Sequence, residues 1–173
     1  RSRGLGDVYK RQSKYWITKR APYLVFEALE CHGGPGYIEE SIMPRLYREA
    51  PLNSIWEGSG NVMCLDVLRA LQRDKNALPS LFRELASAKG SNKNFDESFS
   101  HLKETLQDPI DLEIEARLLT EKMACLIQAS IFIKSGEEEK ISAFCNSRLG
   151  PRWSGAFGTL PTDTSFEYIM GGI

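Results

Sequence analysis

Apolar positions along the chain recur at steps of three and four rather than two. The clearest run is Ala116, Leu119, Met123, Leu126 and Ile127, one apolar stripe on a long helix read from Leu112 onward. Asp108 as a cap, Pro109 at the first helical position and Asp111 in the first turn mark its expected start. Gly136 marks its end, and Glu137 to Glu139 then place negative charge at the N-terminus of a following helix. That triplet reads as a solvated helix start, not a metal site. Further helices are expected at 13–31, 40–49, 54–74, 78–89 and 95–106, with Pro22 either kinking the first or marking its true start. KGSNKN, 89–94, reads as a linker, and the Gly- and Pro-punctuated tail holds one short helix after Thr162. No strand pattern persists, and there is no internal repeat or low-complexity tract. The expected fold class is all-α.

One stretch does not reduce to periodicity. In SIWEGSGN, Ser54 to Asn61, a carboxylate lies between a bulky apolar pair and two glycines. Ser54-x-x-Glu57 fits a capping box, in which the Ser hydroxyl and the Glu carboxylate each satisfy an orphan N–H of the first helical turn. The other reading is chemical. Ile55 and Trp56 beside Glu57 can desolvate the carboxylate and raise its pKa, which is how a Glu becomes a general base. Gly58 and Gly60 clear side chains from where a planar ligand or its phosphates need backbone contact. Spacing alone leaves both readings open.

Composition narrows the partners. Residues 1–12 are expected to be non-native: Ser2 to Gln12, SRGLGDVYKRQ, resembles a translated sequencing-library adapter. On that reading the Gly-x-Gly at Gly4 and Gly6 is no nucleotide loop. The natural sequence then begins at Ser13, and the chain is a C-terminal fragment. The adapter carries a net +3 of the total −1, leaving −4 for the rest. From Lys75 onward, 11 Lys and Arg stand against 14 Asp and Glu, a net of −3. A charge of this sign disfavours nucleic acid as a partner. An apolar fraction of 42% is ordinary for a globular chain, and no apolar run is long enough to span a bilayer, so no membrane role is expected. Cys31, Cys64, Cys125 and Cys145 have neither C-x-x-C nor metal-ligand spacing and read as free thiols in a reducing compartment, with a cytoplasmic location expected and no metal site.

EALECHGGPGY, PRLYREAPLNSIWEGSGN and VMCLDVLRAL follow one another within Lys14–Leu71. Together they resemble the C-terminal helical domain of the acyl-CoA dehydrogenases, in the AidB-type branch whose members carry an added C-terminal helical region. The resemblance implies residues 13–74 as the C-terminal part of that helical domain and 75–173 as the extra helical domain. It implies FAD as cofactor, an acyl-CoA thioester as substrate and a homo-tetrameric parent protein. Glu57 stands where the family places the base that removes the α-proton, while the flavin takes a hydride from the β-carbon to give a trans-2-enoyl product. Ser59 stands at the family's usual Thr; it and Asn61 fall at positions that lie against the FAD. Gly33 and Gly34 match the Gly-Gly that approaches the FAD adenine side of a neighbouring subunit.

The chain departs from the pattern at Glu30, where relatives carry Gln, and at Ser59-Gly60-Asn61, where Thr-x-Glu or Thr-x-Gln is usual. The family's N-terminal helical and middle β-domains, which hold most of the FAD and the acyl chain, are not in this sequence. The fragment alone is therefore expected to bind FAD poorly and to turn over nothing. The alternative function is a non-catalytic helical module that binds acyl-CoA, protein or DNA, of the alkylation-response type. Other features carry less: Cys31-His32 is a helix end rather than a nucleophile pair, His101 lies on a polar face without an evident partner, and Arg45, Arg48 and Arg69 pair with nearby acids. Tyr15, Trp16, Tyr23 and Phe26 read as packing.

Overall fold

The computed structural model describes residues 4–107 and 112–171. Among them all regular structure is helical, as the apolar spacing implies. α1 (Gly4–Cys31) is followed by α2 (Gly34–Tyr37), α3 (Met43–Glu49), a 3-10 turn (Ala50–Ser54) and α4 (Gly60–Arg73). Beyond these come α5 (Ala77–Ala86), α6 (Lys93–Gln107), α7 (Ala116–Ser135), α8 (Glu138–Arg148) and the short α9 (Phe166–Met170).

Two long helices organise the rest. α1 packs against α2, α3, α4, α5, α7 and the 3-10 turn, and α7 packs against α1, α4, α5, α6 and α8. A helix surrounded in this way must be apolar on more than one face. Accordingly, four consecutive residues of α7, Met123 to Leu126, are buried. One apolar core joins Val67 of α4, Leu81 of α5, Phe95 of α6 and Leu119 of α7. The expected 74/75 division therefore lies within a shared core.

Several boundaries differ from expectation for physical reasons. α1 runs through Pro22 and starts well before it. The Thr18 carbonyl, which Pro22 leaves without an N–H partner, belongs to a residue that borders an open cleft, so its loss is tolerated. Residues 4–12 continue α1, and Val8 is fully buried against the core. α7 begins at Ala116, while its expected start signals at Asp108, Pro109 and Asp111 lie outside the described residues. Gly136 does end α7, in the left-handed region at φ 75°, and α8 follows with Glu138 and Glu139 in its first turn. The 89–94 stretch is a built connection: Asn92 Oδ1 accepts from the backbone N–H groups of Asn94 (2.9 Å) and Phe95 (3.2 Å), capping α6.

The thiols divide by burial: Cys31 is exposed, and Cys64, Cys125 and Cys145 are buried. Burial pushes Cys125 up to about 12, Cys145 to about 11 and the Tyr15 hydroxyl to about 12. Each folded value lies above its ordinary value of 9.0 or 10.0, so the fold favours the neutral form. Stability is then complete below the ordinary values and falls as pH rises toward the folded ones, by up to about 1.4 kcal/mol per pH unit per group. Urea unfolding followed by circular dichroism should show a plateau below pH 9 and a decline from there to pH 12. A midpoint constant across that range would contradict this account of the buried core.

Candidate functional site

The capping-box reading of SIWEGSGN does not survive in three dimensions. Ser54 ends the 3-10 turn, and its hydroxyl donates to the Pro51 carbonyl at 2.9 Å. The helix starts six residues later, at Gly60, with Ser59 as the N-cap residue. Glu57 therefore stands in the turn between the two helical pieces, free of any capping duty.

Glu57 is also the one non-glycine with a left-handed backbone among the described residues, at φ 58°. For a residue with a Cβ that conformation costs about 1–2 kcal/mol. It is followed directly by Gly58 at φ 111°, a value only glycine adopts readily. Two bonds from α1 hold this turn. The Lys14 ammonium donates to the Trp56 carbonyl and to the Gly58 carbonyl, the latter at 2.7 Å. The Trp56 indole N–H donates to Asn53 Oδ1 at 3.3 Å and fixes that ring.

Below the turn, α1 and α4 enclose a cleft of about 610 Å³, lined by Lys14, Ile17, Trp56, Glu57, Met63 and Asp66 among others. Lys10 and Arg11 add positive charge and Asp7 negative charge at the rim. Arg11 and Arg69 both pair with Asp66, at 3.6 Å and 2.8 Å. The desolvation expected of Ile55 and Trp56 is not supplied by the described residues. They are 65% and 55% exposed, and Glu57 is exposed with them. Any apolar cover over the carboxylate has to come from outside these residues.

The other expected site residues fall in two groups. Ser59 and Asn61 lie beside Glu57 at the start of α4. Ser59 makes no side-chain bond to its own helix. Asn61 Oδ1 accepts from Arg117 Nε at 2.7 Å, across from α7. Because a guanidinium only donates, the Asn61 oxygen must face it, and the amide N–H groups are left for another acceptor. Arg117 is a contact that sequence reasoning missed; no local pattern signals a pairing between residues 56 positions apart. Gly33 and Gly34 lie past the far end of α1, about 25 Å along the helix from Lys14 at ~1.5 Å per residue. They do not share the Glu57 cleft. Open space surrounds both, Gly33 has φ 60°, and neither has a neighbour within 4 Å of where a Cβ would stand.

The lesser candidates resolve individually. His32 Nδ1 bonds the Ala28 carbonyl at 2.8 Å as a helix-end residue. His101 does have a partner, the Lys122 ammonium at 3.3 Å from Nδ1. Arg45 pairs with Glu49 and Arg48 with Glu39. Tyr15 and Trp16 are buried as packing residues, but Tyr23 and Phe26 are exposed. Among the described residues, no three His, Cys, Asp or Glu side chains converge as a metal site requires. No helix among them is long and apolar enough to cross a membrane.

Comparison with known proteins adds a second line of evidence. Residues 10–72 match the family model described as "Acyl-CoA dehydrogenase, C-terminal domain". The chain is 40% identical over 145 residues to "Putative acyl-CoA dehydrogenase AidB" of Escherichia coli strain K12, covering 84% of this chain and 26% of that protein. It is 36% identical over 97 residues to "Acyl-CoA dehydrogenase family member 11" of Caenorhabditis elegans, covering 56% of this chain and 16% of the relative. Over 76 residues it is 33% identical to "3-methylmercaptopropionyl-CoA dehydrogenase" of Ruegeria pomeroyi, covering 43% of this chain and 13% of the relative. The chain thus spans about a quarter of the AidB protein's length, and less of the other two.

Proposed function

We infer, for a chain whose residues 10–72 belong to the C-terminal domain of the acyl-CoA dehydrogenase family, that it forms one wall of an FAD-dependent active site. The whole protein, on this reading, oxidises an acyl-CoA thioester between its α- and β-carbons. The observation that carries the reading is the strained turn. Glu57 holds an unfavourable backbone conformation that no capping role explains, at the rim of a cleft. Strain of that kind persists where function requires it.

The chain's own residues divide the work. The Glu57 carboxylate takes the α-proton, forming an O–H bond as the α-C–H bond breaks and the α,β double bond develops. FAD, when bound, supplies the acceptor for the hydride that leaves the β-carbon. Ser59 and Asn61 fit a flavin contact: the hydroxyl is not spent on the helix, and the amide N–H groups remain after Arg117 has taken the oxygen. Gly33 and Gly34 fit close approach by a dinucleotide, since no side chain stands in the way. Water must be kept from the carboxylate for the base to work. With Ile55 and Trp56 open, that cover falls to the bound acyl chain and to parts of the protein beyond this chain.

The same argument supports assembly. Tyr23, Leu24, Tyr37, Ile42, Leu52 and Ile55 are all more than half exposed, within one short part of the chain. Apolar exposure concentrated in this way marks a surface that other protein covers, in keeping with a homo-oligomeric whole protein. The extra helical region after residue 74 belongs to the same reading, as does a cytoplasmic location. Anaerobic titration of the whole flavoprotein with a panel of acyl-CoAs tests the function. Bleaching of the flavin absorbance by at least one acyl-CoA is expected; no bleaching by any of them would overturn the reading.

A further inference from the structure

The hold that Lys14 has on the Glu57 turn goes beyond the roles assigned so far. We propose that Lys14 is a positioning residue for Glu57: its ammonium locks the peptide groups on either side of the two left-handed residues and so aims the carboxylate into the cleft. The inference rests on Glu57 being the base.

The geometry is specific. The Trp56 carbonyl belongs to the peptide that leads into Glu57, and the Gly58 carbonyl to the peptide that leads out of Gly58. One ammonium bonded to both brackets the whole left-handed segment. Glu57 and Gly58 have no regular helical ladder to hold them, since the 3-10 turn ends at Ser54 and α4 starts at Gly60. The Lys14 backbone has the rigidity they lack. The residue sits mid-helix in α1, and no ion pair with an acidic side chain draws its ammonium elsewhere among the described residues. Charge-assisted bonds to two carbonyls are also shorter and stronger than neutral ones. With both peptide planes set, the Cα–Cβ direction of Glu57 is set as well. Released from Lys14, the residue would relax toward an ordinary right-handed or extended conformation and turn the carboxylate off the cleft.

Two measurements test this together. The first is on the 173-residue chain: thermal unfolding of Lys14→Met, Glu57→Gly and the double variant. If Lys14 restrains a strained Glu57, the Lys14→Met loss must be larger when residue 57 is glycine, because only glutamate regains part of the lost bonding by relaxing out of its strained conformation. Equal losses in both backgrounds would overturn the proposal. The second is on the whole flavoprotein. Lys14→Met should slow acyl-CoA-dependent bleaching roughly 10- to 100-fold, as expected when a reacting group is misplaced by about 1 Å. Flavin content should stay within about twofold, the rate loss should persist at saturating acyl-CoA, and Lys14→Arg should recover part of the rate, since it can still donate to both carbonyls. An unchanged rate in Lys14→Met would overturn the role in catalysis. If Glu57→Gln itself leaves bleaching intact, the base assignment falls, and the unfolding cycle alone decides whether Lys14 holds the turn.

Discussion

Replacing Glu57 by Gln in the whole flavoprotein should lower the rate of acyl-CoA-dependent flavin reduction roughly 10²–10⁴-fold, the range a positioned general base contributes. Glutamine keeps the size and the backbone but cannot accept the α-proton, so acyl-CoA should still bind. Stopped-flow absorbance under anaerobic conditions reads the effect. A glycine at the same position should behave differently in one respect. It removes the base equally, yet relieves the left-handed conformation at φ 58°. After allowance for the extra freedom glycine has when unfolded, stability should rise by about 0.5–1 kcal/mol. Activity lost while stability is gained is the signature of strain kept for function. A Glu57→Gly variant that is less stable than the parent would mean that the turn holds Glu57 for its packing.

The second large effect is expected at Gly36, which lies in α2 and anchors the Gly33–Gly34 bend. Gly36 is buried, and a Cβ there would stand 2.2 Å from the Leu29 carbonyl oxygen and 3.0 Å from His32 Cβ. The Leu29 oxygen belongs to the backbone of α1 and cannot swing aside, so Gly36→Ala must push α2 off the end of that helix. A loss of about 1–3 kcal/mol in unfolding free energy follows from overpacking of this kind. In the whole flavoprotein, the shifted bend should also weaken FAD retention, measured by flavin released on gel filtration. Gly34→Ala is the control: nothing lies within 4 Å of its position, so its stability should change little. Equal stability of the Gly36 and Gly34 variants would contradict this packing of α2 on α1.

What could be read from the sequence followed the range of the forces involved. Apolar spacing is local, and it placed the α7 stripe from Ala116 to Leu126 and the termination at Gly136 correctly. The acidic start of α8 was legible for the same reason. The turn at 55–59 was not. Ser54-x-x-Glu57 satisfies a local rule, but a lysine 42 residues earlier binds the Trp56 carbonyl and holds the chain in another conformation. A long-range bond outweighed a local preference, and nothing in the eight residues SIWEGSGN signals it. α1 shows a similar override. Proline normally ends or starts a helix, yet contacts to neighbours on several sides keep α1 continuous through Pro22.

For the candidate site, the sequence singles out residues and leaves their geometry open. Glu57, Ser59 and Asn61 do gather at the start of α4, while Gly33 and Gly34 lie at the opposite end of α1. The Lys14 and Arg117 partners emerged only from the fold, because residues 14, 57, 61 and 117 are brought together by the packing of α1, α4 and α7. The apolar shield that Ile55 and Trp56 suggested by adjacency also failed. Neighbours in sequence within an extended turn point outward as readily as inward, and here both are more than half exposed.

The central claim is that Glu57 removes the α-proton. Exchange of the substrate's α-hydrogen with solvent deuterium, followed by mass spectrometry in the whole flavoprotein, tests it most directly, because the reading does not depend on hydride transfer. Deuterium should enter the α-position of an acyl-CoA with Glu57 present and fail to enter with Glu57→Gln. Exchange that continues unchanged in the Gln variant would place the base elsewhere and contradict the account.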